Sequence, residues 1–292
     1  QGSQHRGMAA ALFKKFPDLV AKADAVLGYS VEALCVTDRE NQLKHTEFTQ
    51  PALFVANALY YHNRLEKDNR VPDFVAGHSL GEFSALYAAG AYSFETGLRI
   101  VQKRGQLMAQ AAGGGMAAVL GLSREQVENT LAAAGLTDAV FIANLNCPGQ
   151  VVVSGPLSRV EESEAHFQRA GCSRFVQLNV TGAFHSPEMA DAAAAFESFL
   201  GGLKEEIRAP RVPVVSNVTA APHRGNGVTA MLVAQMTSPV RWAESIAYLH
   251  ADCRVEDFEE VGPGTVLAKL VARCLGRPHK PTPKRERTAP KS

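Results

Sequence analysis

The sequence predicts an α/β fold in which a small ferredoxin-like unit is inserted into a larger strand–helix domain. Three features point there. Short apolar strands and helical stretches alternate along the chain, the triple glycine Gly113-Gly114-Gly115 punctuates it, and the order β-α-β-β-α-β follows within roughly 65 residues. Strand–helix alternation resumes afterwards, which makes the small unit an insertion rather than a terminal domain.

Taken in order, Thr49-Gln50-Pro51 ahead of residues 52–65 predicts a helix, with Thr49 as N-cap and Pro51 in the first turn. Residues 73–77 (DFVAG) form a short apolar strand that meets a helix over 81–89, and a second helix covers 94–112. After the glycines, residues 116–122 predict a strand and 124–134 a helix. Residues 140–145 and 150–154 are strands joined by Cys147-Pro148-Gly149; 157–170 is a helix and 174–180 an alternating strand. A helix then starts with Ser186 as N-cap and Pro187 at its first position, 212–216 is a strand, and 258–261 lead through Gly262-Pro263-Gly264 to a final helix. The expected boundaries are 1–114 with 183–276 for the large domain, 115–182 for the small one, and a basic, proline-rich tail or linker at 277–292.

Composition narrows the function classes. The 292 residues carry a net charge of +1 and are 46% hydrophobic, which suits a folded chain and gives no support for nucleic-acid binding. That charge is an average of two parts. Residues 276–292 hold six cations and one anion, a net of +5, and residues 1–275 therefore carry −4. The longest uncharged stretch, residues 139–158, is broken by Asn144, Asn146, Pro148, Gly149 and Gln150, so no membrane span is expected. Five scattered cysteines without a C-x-x-C pair argue against a disulfide framework or a metal site and suit a reducing cytoplasm.

The chemistry centres on Gly77-His78-Ser79-Leu80-Gly81, a G-x-S-x-G sequence between a strand and a helix, as a nucleophile elbow requires. Small flanking residues permit the sharp turn, and the Leu80 N–H at the helix start can face an oxyanion. An ordinary glycine-rich turn is the bland alternative. A serine alcohol needs a base, and nine histidines compete. His78 adjoins the serine and is better placed to shape the pocket. His5, His45, His62, His166, His223, His250 and His279 occupy polar or helical-surface settings and are expected to be solvated. His185 stands apart: it sits at a domain junction beside a helix N-terminus, which disfavours its cation and suits a neutral base. Arg104 lies three, four or seven residues from Gly97, Ile100, Val101, Leu107, Met108 and Ala111, on the apolar stripe of its helix. A cation there needs an anion, either an internal carboxylate or that of a substrate.

A longer series of motifs falls in a familiar order: Gln1-Gly2-Ser3-Gln4, Thr49-Gln50-Pro51-Ala52, the elbow with Glu82, Lys103-Arg104-Gly105 and residues 113–117. Asn144-Leu145-Asn146-Cys147-Pro148-Gly149-Gln150, Gly182-Ala183-Phe184-His185-Ser186, Ser238-Pro239-Val240-Arg241-Trp242 and Val261-Gly262-Pro263-Gly264 complete it. Together, over residues 1–276, they resemble malonyl-CoA:acyl-carrier-protein transacylases, and most of all the discrete, trans-acting acyltransferases of polyketide synthases. The resemblance implies a hydrolase-like α/β large domain with the ferredoxin-like insertion. It implies a Ser79–His185 dyad, an oxyanion hole from Gln1 and Leu80, and a Gln235 carbonyl that orients His185. Arg104 would pair with the malonyl carboxylate, and Phe184 would narrow the space at the malonyl α-carbon in favour of malonyl over methylmalonyl.

The implied reaction takes malonyl from malonyl-CoA to the phosphopantetheine thiol of an acyl carrier protein, in polyketide or fatty-acid biosynthesis, with no cofactor, metal, nucleic acid or membrane. A monomer, or a part of a larger multidomain synthase, is the expected assembly. Family members place a short strand and Phe-Pro-Gly before the residue matching Gln1, so the sequence is expected to begin inside its gene product. Two alternatives keep the same residues: an acyl hydrolase that clears carrier proteins, and a docking domain whose basic tail binds an acidic carrier.

Overall fold

The computed structural model describes residues 2–278 other than 69, 112 and 226. Four helices come first: α1 (Ala10–Phe13), α2 (Pro17–Leu27), α3 (Val31–Val36) and α4 (Thr46–Asp68). Strand β1 (Val75–Ala76) leads into α5 (Leu80–Ala88) and α6 (Phe94–Gln110). Then follow β2 (Gly114–Leu120), α7 (Arg124–Ala133), β3 (Phe141–Cys147), β4 (Gln150–Pro156), α8 (Leu157–Arg169) and β5 (Arg174–Gln177). The chain ends with α9 (Ala190–Gly201), β6 (Val214–Val215), α10 (Val228–Thr237), α11 (Trp242–Ala247) and α12 (Val266–Cys274).

The two sheets among the described residues differ in kind. β1 and β6 form a two-stranded parallel pair, Val75 opposite Val214 and Ala76 opposite Val215. The other sheet has the order β3-β4-β2-β5 and is antiparallel throughout. Alternation along its strands fills two cores. Ala117, Val119, Val151 and Val153 face Val127, Leu131, Val160 and Phe167 of α7 and α8. Met116, Ala118 and Val152 join the principal core instead, with Phe54, Phe83, Leu98 and Phe196. The sheet is thus apolar on both faces, one packed by its own helices and one by the helical body.

Local chemistry explains most boundaries. Ser93 caps α6 by accepting from the Thr96 N–H at 3.0 Å. Ser123 and Gln126 form a reciprocal capping box on α7. Three expectations are corrected. Helix α4 starts at Thr46, a turn before Thr49, because the preceding 3-10 turn Gln42–Lys44 feeds into it. Thr49 is therefore not an N-cap, and its hydroxyl donates back to the carbonyls of Leu43 (2.6 Å) and His45 (2.9 Å). Pro51 lies inside the helix rather than in its first turn. Ser186 makes no side-chain cap; its hydroxyl donates to the Ala183 carbonyl at 2.6 Å, and a 3-10 turn, Pro187–Met189, precedes α9. Finally, the strands expected at 73–77 and 212–216 pair over only two residues each, because the chain folds back sharply at Gly77. A Cβ on Gly77 would lie 1.9 Å from the Gly81 carbonyl carbon, so only glycine fits there. The tail at 279–292 lies outside the described residues.

Candidate active site

The turn between β1 and α5 holds Ser79 at φ 52° and ψ −111°, a backbone conformation an L residue adopts only when its surroundings impose it. Such strain costs on the order of 1–3 kcal/mol. Asn217 offsets part of it, since its Oδ1 accepts the Ser79 N–H at 2.7 Å. Of the two elbow glycines, only Gly77 is sterically required; a Cβ on Gly81 would meet nothing within 4 Å. Leu80 opens α5, so its N–H has no carbonyl one turn earlier to serve and is available to an oxyanion.

The serine meets His185 across 106 residues of sequence. Ser79 Oγ lies 2.8 Å from His185 Nε2, and His185 Nδ1 donates to the Gln235 carbonyl at 2.8 Å. The second bond places the proton on Nδ1 and leaves Nε2 free to accept the serine proton. His185 also has a positive φ, 59°, and is 4% exposed. Burial, then the Arg104 charge, pushes its pKa down to about 3. Burial and the neighbouring Arg104 cation thus favour the neutral imidazole at this position. The Ser154 hydroxyl donates to the Phe184 carbonyl at 2.8 Å and fixes the segment just before the base. Phe184 itself is buried in the principal core.

Arg104 comes from α6 to the same point. Its Nη2 donates to Gln235 Oε1 at 2.9 Å and reaches Ser79 Oγ at 3.3 Å, and Nη1 donates to Gln50 Oε1 at 2.7 Å. Its Cζ stands 5.1 Å from the centre of the Phe83 ring. Among the described residues Nε has no partner, and none of the three guanidinium nitrogens is bonded to a carboxylate. The sequence left the partner open between an internal carboxylate and a substrate; the internal hydrogen-bond partners are neutral amides. Burial lowers the Arg104 pKa to about 10, so the side chain keeps its charge at neutral pH.

A layer of polar side chains that the motifs did not reveal backs these three residues. Glu82 is fully buried; its Oε2 accepts from Gln235 Nε2 at 2.5 Å and from the Asn217 N–H at 3.2 Å, while its Oε1 lies 2.8 Å from His223 Nε2. The His223 side chain is 0% exposed, contrary to the expectation of a solvated histidine, because the Glu82 carboxylate draws it inward. Glu82 and Gln50 sit in recognisable motifs yet carried no assigned task, and Asn217 lies in a loop with no motif at all. His78 turns away from the serine: its Nε2 lies 2.8 Å from Asn146 Oδ1, its ring 5.7 Å from Trp242, and burial lowers its pKa to about 4. Gln1 lies outside the described residues. A cleft of about 380 Å³ opens onto His185, lined by Leu131, Phe141, Ile142, Pro187 and Pro239 with Arg124 and Glu128. Among the described residues no group of three or more His, Cys, Asp or Glu could hold a metal ion, and no helix is long and apolar enough to cross a membrane.

Residues 1–290 match the family described as acyl transferase domain. The chain belongs to that family. Its relatives include polyketide biosynthesis protein ThaF of Burkholderia thailandensis, 51% identical over 94% of this chain. They also include the polyketide biosynthesis malonyl CoA-acyl carrier protein transacylase BaeC of Bacillus velezensis, 47% identical over 94% of this chain and 93% of that protein. This acyl transferase domain spans 24% of ThaF and 35% of the polyketide biosynthesis protein PksE of Bacillus subtilis. Among solved structures, the malonyl CoA-acyl carrier protein transacylase of Burkholderia pseudomallei superposes with a TM-score of 0.90 at 48% identity, covering 95% of this chain and 96% of that one. A type II PKS acyl-carrier protein in complex with its malonyl-transacylase gives 0.89 at 36% identity, covering 94% and 91%. The fold is therefore the mixed α/β fold of these transacylases.

Proposed function

We propose that this domain transfers a malonyl group from malonyl-CoA, through an ester on Ser79, to the phosphopantetheine thiol of an acyl carrier protein. One observation carries the choice of acyl group. Arg104 is a buried cation 3.3 Å from the Ser79 hydroxyl whose internal hydrogen-bond partners are the amides of Gln50 and Gln235. A guanidinium so placed is matched by an incoming carboxylate, and malonyl supplies one. The names of BaeC and of the solved relatives point the same way.

In the first half-reaction His185 Nε2 takes the Ser79 proton as Oγ attacks the thioester carbonyl carbon. The resulting oxyanion is held by the Leu80 N–H; the family resemblance offers Gln1, outside the described residues, as the second donor. The C–S bond then breaks, and the departing CoA sulfur takes the proton from His185. In the second half-reaction the carrier's thiol gives its proton to His185 and its sulfur attacks the seryl ester; Ser79 Oγ leaves and recovers the proton. The Gln235 carbonyl holds His185 in the tautomer both steps need, which completes a dyad rather than a triad. His78 shapes the pocket through Asn146. Phe184, beside the base, restricts the malonyl α-carbon and favours malonyl over methylmalonyl. None of these steps uses a cofactor or metal.

The element order from β2 to β5, with the antiparallel sheet β3-β4-β2-β5, supports reading 115–182 as an inserted ferredoxin-like domain. Residues 1–114 and 183–276 then make a hydrolase-like large domain, with 277–292 as a tail. A cytoplasmic site of action fits the free cysteines. Incubation with labelled malonyl-CoA, with and without holo carrier protein, tests the reading. Label should rest on the domain and move to the carrier; release as free malonate would mean a hydrolase, and no label a docking module.

A further inference from the structure

We propose that Asn217 is a positioning residue that holds the nucleophile elbow in place by continuing the β1–β6 pairing with a side chain where backbone pairing stops. In a parallel ladder one residue donates to the carbonyl before the residue opposite it and accepts from the N–H after it. The Asn217 amide does this opposite His78: Nδ2 donates to the Gly77 carbonyl and Oδ1 accepts the Ser79 N–H, both at 2.7 Å. Backbone register between β1 and β6 ends two residues earlier, at Ala76 and Val215. The imitation peptide therefore spans the one place where the chain must leave the sheet and put Ser79 at positive φ.

Asn217 is itself fixed through both of its backbone groups. It is 1% exposed, its N–H donates to Glu82 Oε2 at 3.2 Å, and its carbonyl accepts the Arg241 N–H at 3.0 Å. Gln235 Nε2 grips the other side of the turn, at the Ser79 carbonyl, at 3.1 Å. Ser79 thus has its N–H and its C=O held by side-chain amides from two different segments. A hydroxyl held this way stays 2.8 Å from His185 Nε2 without help from substrate.

The inference rests on Ser79 being the nucleophile, and its test uses a probe indifferent to the acyl group: the rate at which a fluorophosphonate labels Ser79. Asn217→Ala should label on the order of 100-fold more slowly, the scale expected for an ångström of misplacement. Asn217→Asp carries the sharper signature. Protonated, its carboxyl reproduces both bonds. Ionised, it sets negative charge against the Gly77 carbonyl and the Glu82 carboxylate, with Arg241 and His223 as the neighbouring basic groups. Its labelling rate should therefore rise towards that of the unaltered protein as pH is lowered, in samples whose circular dichroism is unchanged. Unaltered rates in both variants, or an Asn217→Asp rate that follows the native pH profile, would overturn the assignment. If Asn217→Ala does not fold, the Asn217→Asp profile decides alone. A native protein that takes the fluorophosphonate but not malonyl-CoA would refute the malonyl reading and leave this one standing.

Discussion

Replacing Arg104 with alanine removes the cation 3.3 Å from the Ser79 hydroxyl and should invert the domain's preference among acyl groups. The size of the effect follows from the surroundings. Arg104 is 1% exposed, so solvent screens its contacts little. Hydrogen bonds to a charged partner contribute about 1.5–3 kcal/mol each, and a two-pronged carboxylate contact would give about 3–6 kcal/mol. Nη1 and Nη2 already serve Gln50 and Gln235, so the carboxylate exchanges some bonds rather than adding them, and the lower end applies. A loss of about 3 kcal/mol is a drop of more than 100-fold in kcat/KM for malonyl-CoA. Acetyl-CoA presents no charge and should lose nothing. The assay is intact-protein mass spectrometry after exposure to equal amounts of malonyl-CoA and acetyl-CoA. The malonyl-to-acetyl ratio on Ser79 should fall at least about 100-fold, and Arg104→Lys, which keeps the charge but not the fork, should fall between. An unchanged ratio in a folded Arg104→Ala protein would refute the assignment of Arg104 to the acyl carboxylate.

Further outcomes concern the elbow, the acyl pocket and pH. Gly77→Ala should prevent folding, at a cost of about 4 kcal/mol or more, whereas Gly81→Ala should fold and keep its thermal midpoint; expression and melting curves distinguish them. Phe184→Ser should admit methylmalonyl in a competition assay and lower the midpoint, since truncating a buried Phe costs about 3–5 kcal/mol. His78 and His185 are held neutral, near 4 and 3 against an ordinary 6.5. Between those values the unfolded chain binds protons that the folded chain refuses. Stability should therefore fall as pH drops below 6.5, each histidine contributing at most about 1.4 kcal/mol per pH unit, and His185→Gln should soften the decline in melting temperature. Acylation of Ser79, by contrast, should stay level from pH 7 to pH 5, with no descending limb at 6.5.

The strand–helix order was legible because periodicity and glycine punctuation are local signals, as at Gly113–115. The elbow was legible for the same reason: a strand, a glycine and a helix start lie within a few residues. Arg104 betrayed itself by a charge on an apolar stripe. What remained hidden was non-local. Thr49 looked like a cap until the turn Gln42–Lys44 extended α4 backwards. His223 looked like a surface histidine because nothing nearby in sequence foretells Glu82, 141 residues away. Asn217 has no motif, since what defines it is the pair of backbone groups it bridges.

The most direct test of the whole reading is the fate of malonyl on one residue. After brief mixing with malonyl-CoA and proteolysis, mass spectrometry should find the malonyl group on the peptide containing Ser79. Ser79→Ala should carry none, His185→Ala should load far more slowly, and holo carrier protein should strip the group from the native domain onto its own thiol. Malonyl found on another residue, or a carrier that acquires malonyl equally well from Ser79→Ala, would contradict the account.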